Sequence, residues 1–237
     1  VATIVLAYLP AVAFVGVAAL LPGNMATEIT PRYGGYYAYV SAVILLFVAS
    51  VVPDQLCTDR GSGMLGLYLA APLDRPTYLA VKAAAVATVL AIVTLGPPLL
   101  LLIGYSFVEI GPSWPVSGLA TLGRIVAAAA VVAGWYTCLG MFVSSVTNRR
   151  AWAAAGITLS VLVTSTVTAV LVEAVDAPAW LVVLDLFNLP FELCRRIYGE
   201  PAGYAVSTVT LVAAALAWTT VGSVAIGLRY RRLTVTR

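Results

Sequence analysis

The sequence predicts an all-α integral membrane protein with six transmembrane helices, and three observations carry that prediction. Hydrophobic residues fill 62% of the 237 positions and charged residues only 10%, whereas a soluble domain needs about 25% charge to keep its surface wet. Mean hydropathy is +1.01. The apolar residues also fall in runs of about 20 without the alternation of a lipid-facing barrel strand, so helices are the spanning form open to them. Six runs qualify: 1–22, 37–56, 79–104, 119–143, 151–174 and 203–228. No stretch between them is long enough for a soluble domain, and the halves do not repeat. The chain therefore reads as a single transmembrane domain over 1–237.

The run 1–22 is too long for the h-region of a signal peptide and has no basic stretch before it, so it counts as the first span. The start at Val1 suggests that a native N-terminus precedes it. Tyr33, Tyr36, Tyr37 and Tyr39 flank the second span and, with Trp114, Trp180 and Tyr230, read as interfacial anchors. Pro97 and Pro98 in the third span and Gly134 in the fourth would bend or thin their helices, as packing features or as hinges. The fifth span carries Ser160, Thr164 and Thr168 at i, i+4 and i+8, which sets three hydroxyls on one face. They either hydrogen-bond their own backbone and pack on a neighbour, or line a translocation path. Both alternatives stand at this level. The next run, "PAWLVVLDLFNLPF" (178–191), is too short to cross and holds Asp185, Asn188 and two prolines. It predicts a re-entrant or interfacial pair of short helices before the sixth span.

Charge sets the orientation. With six spans, Arg60, Arg75, Lys82, Arg149, Arg150, Arg229, Arg231, Arg232 and Arg237 share one side. The positive-inside rule puts that side, and both termini, in the cytoplasm. Arg195 and Arg196 then fall on the outer side, against the trend. Twelve arginines to one lysine, with abundant Ala and Val, suggest a GC-rich bacterial genome and hence a bacterial plasma membrane.

Several chemistries are excluded or disfavoured. The chain has no histidine, which removes the commonest general base and metal ligand together. Cys57, Cys138 and Cys194 stand singly at three expected depths, which predicts neither a disulfide nor a metal site. Gly61, Gly63 and Gly66 spell a dinucleotide-type G-x-G-x-x-G. That fingerprint works only between a strand and a helix of a βαβ unit, and here it joins two spans. No G-x-x-x-x-G-K-[ST] is present, so no ATPase activity is expected on this chain. Coupled carriers generally need an ionisable group at mid-depth, and Asp54 and Glu173 sit at span ends.

The informative stretch is 57–82. Asp59, Arg60, Gly63, Leu65, Leu69, Pro72, Arg75 and Lys82 match in spacing the cytoplasmic segment of the type-2 ABC-transporter permeases, the drug, lipid and polysaccharide exporter type. The sequence resembles that family, departing from its usual pattern at Met64, Gly66 and Asp74. Physically, residues 62–71 fit a short amphipathic coupling helix with Leu65 and Leu69 in the bilayer surface. Pro72 ends it. Gly61 and Gly63 allow a tight exit from the second span and close approach of a partner. A plain amphipathic connector is the alternative. The resemblance implies a permease subunit of an exporter moving a hydrophobic or amphipathic small molecule. It also implies two partner ATPase subunits carrying ATP and Mg, a second permease subunit, identical or paralogous, and a coupling role for Asp59, Arg60, Gly61, Gly63, Leu65, Leu69, Pro72, Arg75 and Lys82. Ser160, Thr164 and Thr168 are the candidate path residues. No metal, cofactor or nucleic acid is expected on the chain itself. The rival expectations are a non-transporting membrane scaffold and a secondary carrier.

Overall fold

Six helices long and apolar enough to cross a membrane dominate the computed structural model, which describes residues 2–61 and 75–232. No strand occurs among the described residues. In chain order they are α1 (Ala2–Leu20), α2 (Gly23–Ile29), α3 (Tyr33–Gly61), α4 (Arg75–Phe107), α5 (Val116–Val146), α6 (Arg150–Ala169), α7 (Leu189–Tyr198) and α8 (Thr208–Arg232). A π turn, Val170–Ala174, extends α6, and a 3-10 turn, Ala179–Leu184, precedes α7. The spans are α1, α3, α4, α5, α6 with its π turn, and α8.

Helix ends differ from the expected boundaries for physical reasons. Hydropathy marks only the apolar centre of a helix, while the backbone ladder continues through polar residues. Thus α3 runs 29 residues and α4 runs 33. Residues 57–61 and 75–78, expected in the elbow, are helical continuations of these two spans. The rest of that elbow, with Gly63, Leu65, Leu69 and Pro72, lies outside the described residues. Helix α8 starts five residues later than expected because 201–207 serve as a loop whose backbone binds the side chains of α7, as detailed below. The seven-residue α2 was not expected; the Thr30 hydroxyl donates to Ala26 O (2.6 Å) at its end.

Helices α3 and α5 form the centre. Helix α3 packs against α1, α4, α5, α6 and α7, and α5 against α3, α4, α6, α7 and α8. Their spans are 61% and 56% buried, against 17% for α1, α6 and α8. Lipid tails are as apolar as leucine, so close backbone approach rather than the hydrophobic effect drives such contacts. Gly140 of α5 supplies that approach: a Cβ there would stand 3.0 Å from Val52 and 3.2 Å from Val48 of α3.

Two of the expected interfacial anchors instead bind the core. Tyr36 and Tyr37 are fully buried, and their hydroxyls donate to Ala7 O of α1 (2.9 Å) and Thr94 O of α4 (3.2 Å). The second bond has a clear cause. Pro98 has no N–H to give the carbonyl four residues back, so a side chain satisfies Thr94 O in its place. Tyr230 is buried as well, its ring tilted against that of Tyr78 at 6.2 Å. Tyr39, Trp114 and Trp180 are exposed, in keeping with anchoring.

Candidate functional site

The segment 179–198 folds as a helical hairpin, a 3-10 turn and α7 joined at 185–188, and its tip penetrates the bundle. The carbonyls of Leu186 and Phe187 at the tip have no backbone partner among the described residues, and in an apolar surrounding each must find one. Side chains from three spans provide them. Trp135 Nε1 and Tyr136 Oη of α5 donate to Leu186 O (3.0 Å) and Phe187 O (3.3 Å). Trp218 Nε1 of α8 donates to Val183 O (3.1 Å), and Leu186 N donates to Thr164 Oγ1 of α6 (3.4 Å). At 1.5 Å per residue, the Trp135–Tyr136 pair lies roughly 28 Å along α5 from Val116 and about 15 Å from Val146. The tip therefore stands level with the interior of the spans.

The turn itself is built by Asp185, which is buried. Its Oδ1 accepts from Phe187 N (2.9 Å) and Asn188 N (3.0 Å), and its Oδ2 from Asn188 Nδ2 (2.7 Å). Asn188 Nδ2 also donates to Ser165 Oγ of α6 (3.3 Å). A short Asp side chain bonding its own backbone is a turn-forming device, and here it starts α7.

In the first turn of α7, Glu192 is buried and accepts from Gly203 N (3.0 and 3.2 Å) and from Nε of Arg196 in the last turn (3.3 Å). The remaining Arg196 nitrogens donate to Tyr204 O (3.1 Å), Val206 O (2.8 Å) and Thr208 Oγ1 (3.2 Å). Glu200 takes the N–H of Gly34 at the start of α3 (2.7 Å). A pocket of about 380 Å³ opens here, with Glu173, Asn188, Glu192, Arg195 and Tyr204 among its walls. Burial pushes the Tyr204 phenol above its usual value; Asp185, Glu173 and Glu192 add to the rise and Arg195 opposes it.

Beside the hairpin tip, Trp135, Cys138, Phe142, Ser160, Leu186 and Trp218 help line an apolar cavity of about 130 Å³. Its polar groups are all engaged. The indole nitrogens serve the hairpin, Ser160 Oγ donates to Ile157 O (2.9 Å), Thr219 Oγ1 to Ala215 O (2.8 Å), and Cys138 Sγ to Thr219 O (3.4 Å). A guest there meets ring faces and methyl groups, with no donor to recognise a polar group.

Of the three expected path hydroxyls, Ser160 lines this cavity. Thr164 donates to Ser160 O (2.8 Å) while accepting from the hairpin tip, and Thr168 is buried. Sequence reasoning missed Trp135, Tyr136 and Trp218 as hairpin supports, although polar-tipped aromatics deep inside spans are the signal that marks them. It also left Arg196 unexplained on its side of the membrane; the guanidinium is held internally.

At the opposite end of the bundle, Asp59 and Lys82 pair at 2.8 Å, and Tyr78 Oη donates to the same carboxylate oxygen (2.8 Å). Two of the expected partner-facing residues thus face each other across the ends of α3 and α4. Arg150 pairs with Asp54 (2.9 Å), joining α6 to α3. Gly61 ends α3 and Arg75 begins α4. Arg60 lies in the last turn of α3. No group of three His, Cys, Asp or Glu residues able to hold a metal occurs among the described residues.

The fold and this site define a class: a polytopic all-α protein with six spans and a bonded hairpin inserted among four of its helices. No family model matches the chain, and no curated protein matches it in sequence.

Proposed function

We propose that this chain is the permease subunit of an ATP-driven exporter of the type-2 ABC kind, in a bacterial plasma membrane with both termini in the cytoplasm. In this scheme two separate ATPase subunits grip the elbow between α3 and α4, and a second permease subunit, identical or paralogous, completes the path. ATP and Mg bind on the partners. ATP-driven closure of the ATPase pair pushes the elbow, α3 and α4 tilt, and a hydrophobic or amphipathic small molecule leaves past the hairpin.

The observation that carries the proposal is the hairpin tip beside an apolar cavity at span depth. Non-helical backbone at that depth is expensive and is tolerated only where it is buried in protein or lines a cavity; a re-entrant hairpin beside a cavity fits a gate. The Asp59–Lys82 pair supports the coupling role in a modified form. It holds the two helix ends at a fixed spacing, so that a push on the elbow reaches both. Arg60, Gly61, Gly63, Leu65, Leu69, Pro72 and Arg75 remain the proposed contact to the ATPase.

Purification of the chain with its co-expressed genomic neighbours tests this. An ATPase should co-purify, and its turnover should change when the permease is present. A chain that purifies without any ATPase, or an ATPase indifferent to it, would remove the proposal. Asp59→Ala with Arg60→Ala should insert normally but lose ATP-driven transport.

A further inference from the structure

The pocket of about 380 Å³ beside α7 differs in chemistry from the apolar cavity at the hairpin tip. It lies at the end of the bundle away from the elbow, between the start of α3, the π turn after α6, α7 and the loop that follows α7. Gly34, Ala38 and Ser41 line it over about 10 Å of α3, at 1.5 Å per residue. Its volume is within the range of small-ligand sites, and its place at a span end is the level of lipid headgroups.

Most ionic side chains around the pocket are already engaged. Asp185 holds the turn, Glu200 takes Gly34 N, and Glu192 divides its oxygens between Gly203 N and Arg196. Two are not. Glu173 is exposed in the π turn and Arg195 is half-buried on α7. Both line the pocket, and neither side chain makes a hydrogen bond or an ion pair among the described residues. Arg195 is nonetheless aimed: a Cβ on Gly203, another wall residue, would stand 2.9 Å from its Nη1. The guanidinium therefore lies against the loop backbone at the pocket wall. Burial raises the pKa of the Tyr204 phenol; Glu173 adds to that rise and Arg195 opposes it, so both charges face the volume that Tyr204 lines.

We infer that this pocket binds a phosphate–ammonium zwitterion, with Arg195 holding the phosphate and Glu173 the ammonium. The charges select this chemistry. A plain anion would meet Arg195 and be repelled by Glu173, and a plain cation the reverse. A neutral guest would strip water from both groups without replacing it. A zwitterion answers both, and the planar guanidinium matches phosphate oxygens two at a time. Two sources carry this chemistry, the phosphoethanolamine head of a membrane lipid and free phosphoethanolamine.

The inference does not rest on the export proposal, because binding is read directly on the purified full chain. Native mass spectrometry from maltoside micelles tests it, with dihexanoyl phosphatidylethanolamine, dihexanoyl phosphatidylglycerol and free phosphoethanolamine as probes. Wild type should hold one phosphatidylethanolamine molecule, more tightly than phosphatidylglycerol, whose head keeps the phosphate and lacks the ammonium. Arg195→Gln should weaken both lipids about tenfold, the strength of one hydrogen bond to a charged group. Glu173→Gln should weaken phosphatidylethanolamine alone, about twofold to fivefold, as loss of an exposed ion pair does, and so narrow the gap to phosphatidylglycerol. Neither substitution removes an internal bond, so unfolding midpoints should not move. Uptake of free phosphoethanolamine with the same dependence on Arg195 and Glu173 supports the site with a soluble ligand; uptake of the lipid without the free head supports it with a membrane lipid. Equal affinity of wild type for the two lipids overturns the inference whatever the variants do, as does undiminished binding in Arg195→Gln or a wild type that takes up no probe. Absence of a partner ATPase would sink the export proposal and leave this one untouched.

Discussion

At the hairpin end, Glu192 and Arg196 are mostly removed from solvent, with 3% and 18% of their side chains exposed, and almost every polar atom they carry has a partner. At the elbow end, Arg150 and Asp54 meet at a similar distance but with 63% and 39% exposed. The same pair of chemistries therefore does two jobs. Buried, it fixes a loop that could not otherwise stay folded. Exposed, it adds little to stability and leaves charge at the surface for something else to meet.

The largest effect should come from breaking the buried pair. Glu192→Ala leaves the Arg196 guanidinium among carbonyls without its carboxylate and frees Gly203 N as well. Removal of one partner of a buried pair costs about 3–5 kcal/mol. Unfolding of the detergent-solubilised chain should shift strongly, and protease should cut first in 199–207. Arg150→Ala, by contrast, should shift unfolding by less than about 1 kcal/mol. If the two variants are equally damaging, burial is not what separates the two ends.

Next in size is the α3–α5 contact on which both ends depend. Gly140→Leu would drive a side chain into Val48 and Val52, an overpacking worth about 1–3 kcal/mol. It should lower the unfolding midpoint with protection lost along α3 and α5 together, which hydrogen exchange would show. Loss confined to one end would mean that the ends are stabilised separately.

An effect of comparable size but more local reach tests the hairpin alone. Trp135→Phe keeps the ring in the cavity wall but leaves Leu186 O without its donor, at a cost of about 1–3 kcal/mol for an unsatisfied buried carbonyl. Exchange should accelerate at 185–188 before it does anywhere in α5.

The six spans were legible because each needs about 20 apolar residues, and that signal survives in any composition window. Their ends were not, since the ladder of α3 and α4 continues through Asp59, Arg60, Arg75 and Pro76 where hydropathy has already fallen. The break at 178–191 was visible in Asp185, Asn188 and two prolines. Its supports were hidden because Trp135, Tyr136 and Trp218 lie 35 or more residues from the backbone they hold. Tyr36 and Tyr37 misled for the opposite reason. A tyrosine near a span end fits an interfacial belt, and only the carbonyl freed by Pro98 reveals that one of them is needed inside.

The smallest stability effect carries the sharpest functional contrast. Asp59 and Lys82 are 15% and 21% exposed, so their pair falls between the two extremes. Lys82→Met removes the charge but leaves Tyr78 Oη on the Asp59 carboxylate, which keeps the ends of α3 and α4 tied by one bond. A loss of about 1 kcal/mol or less is expected. Exchanging the charges, Asp59→Lys with Lys82→Asp, restores the ion pair while reversing what the elbow presents to a partner. Should the pair act only as a clasp between α3 and α4, the exchanged protein would regain both stability and ATP-driven transport. If the elbow also meets a charged partner surface, stability should return and transport should not, because a reversed charge at a partly desolvated interface is repelled. Unfolding midpoints and transport rates measured on the same three proteins separate a clasp from a contact.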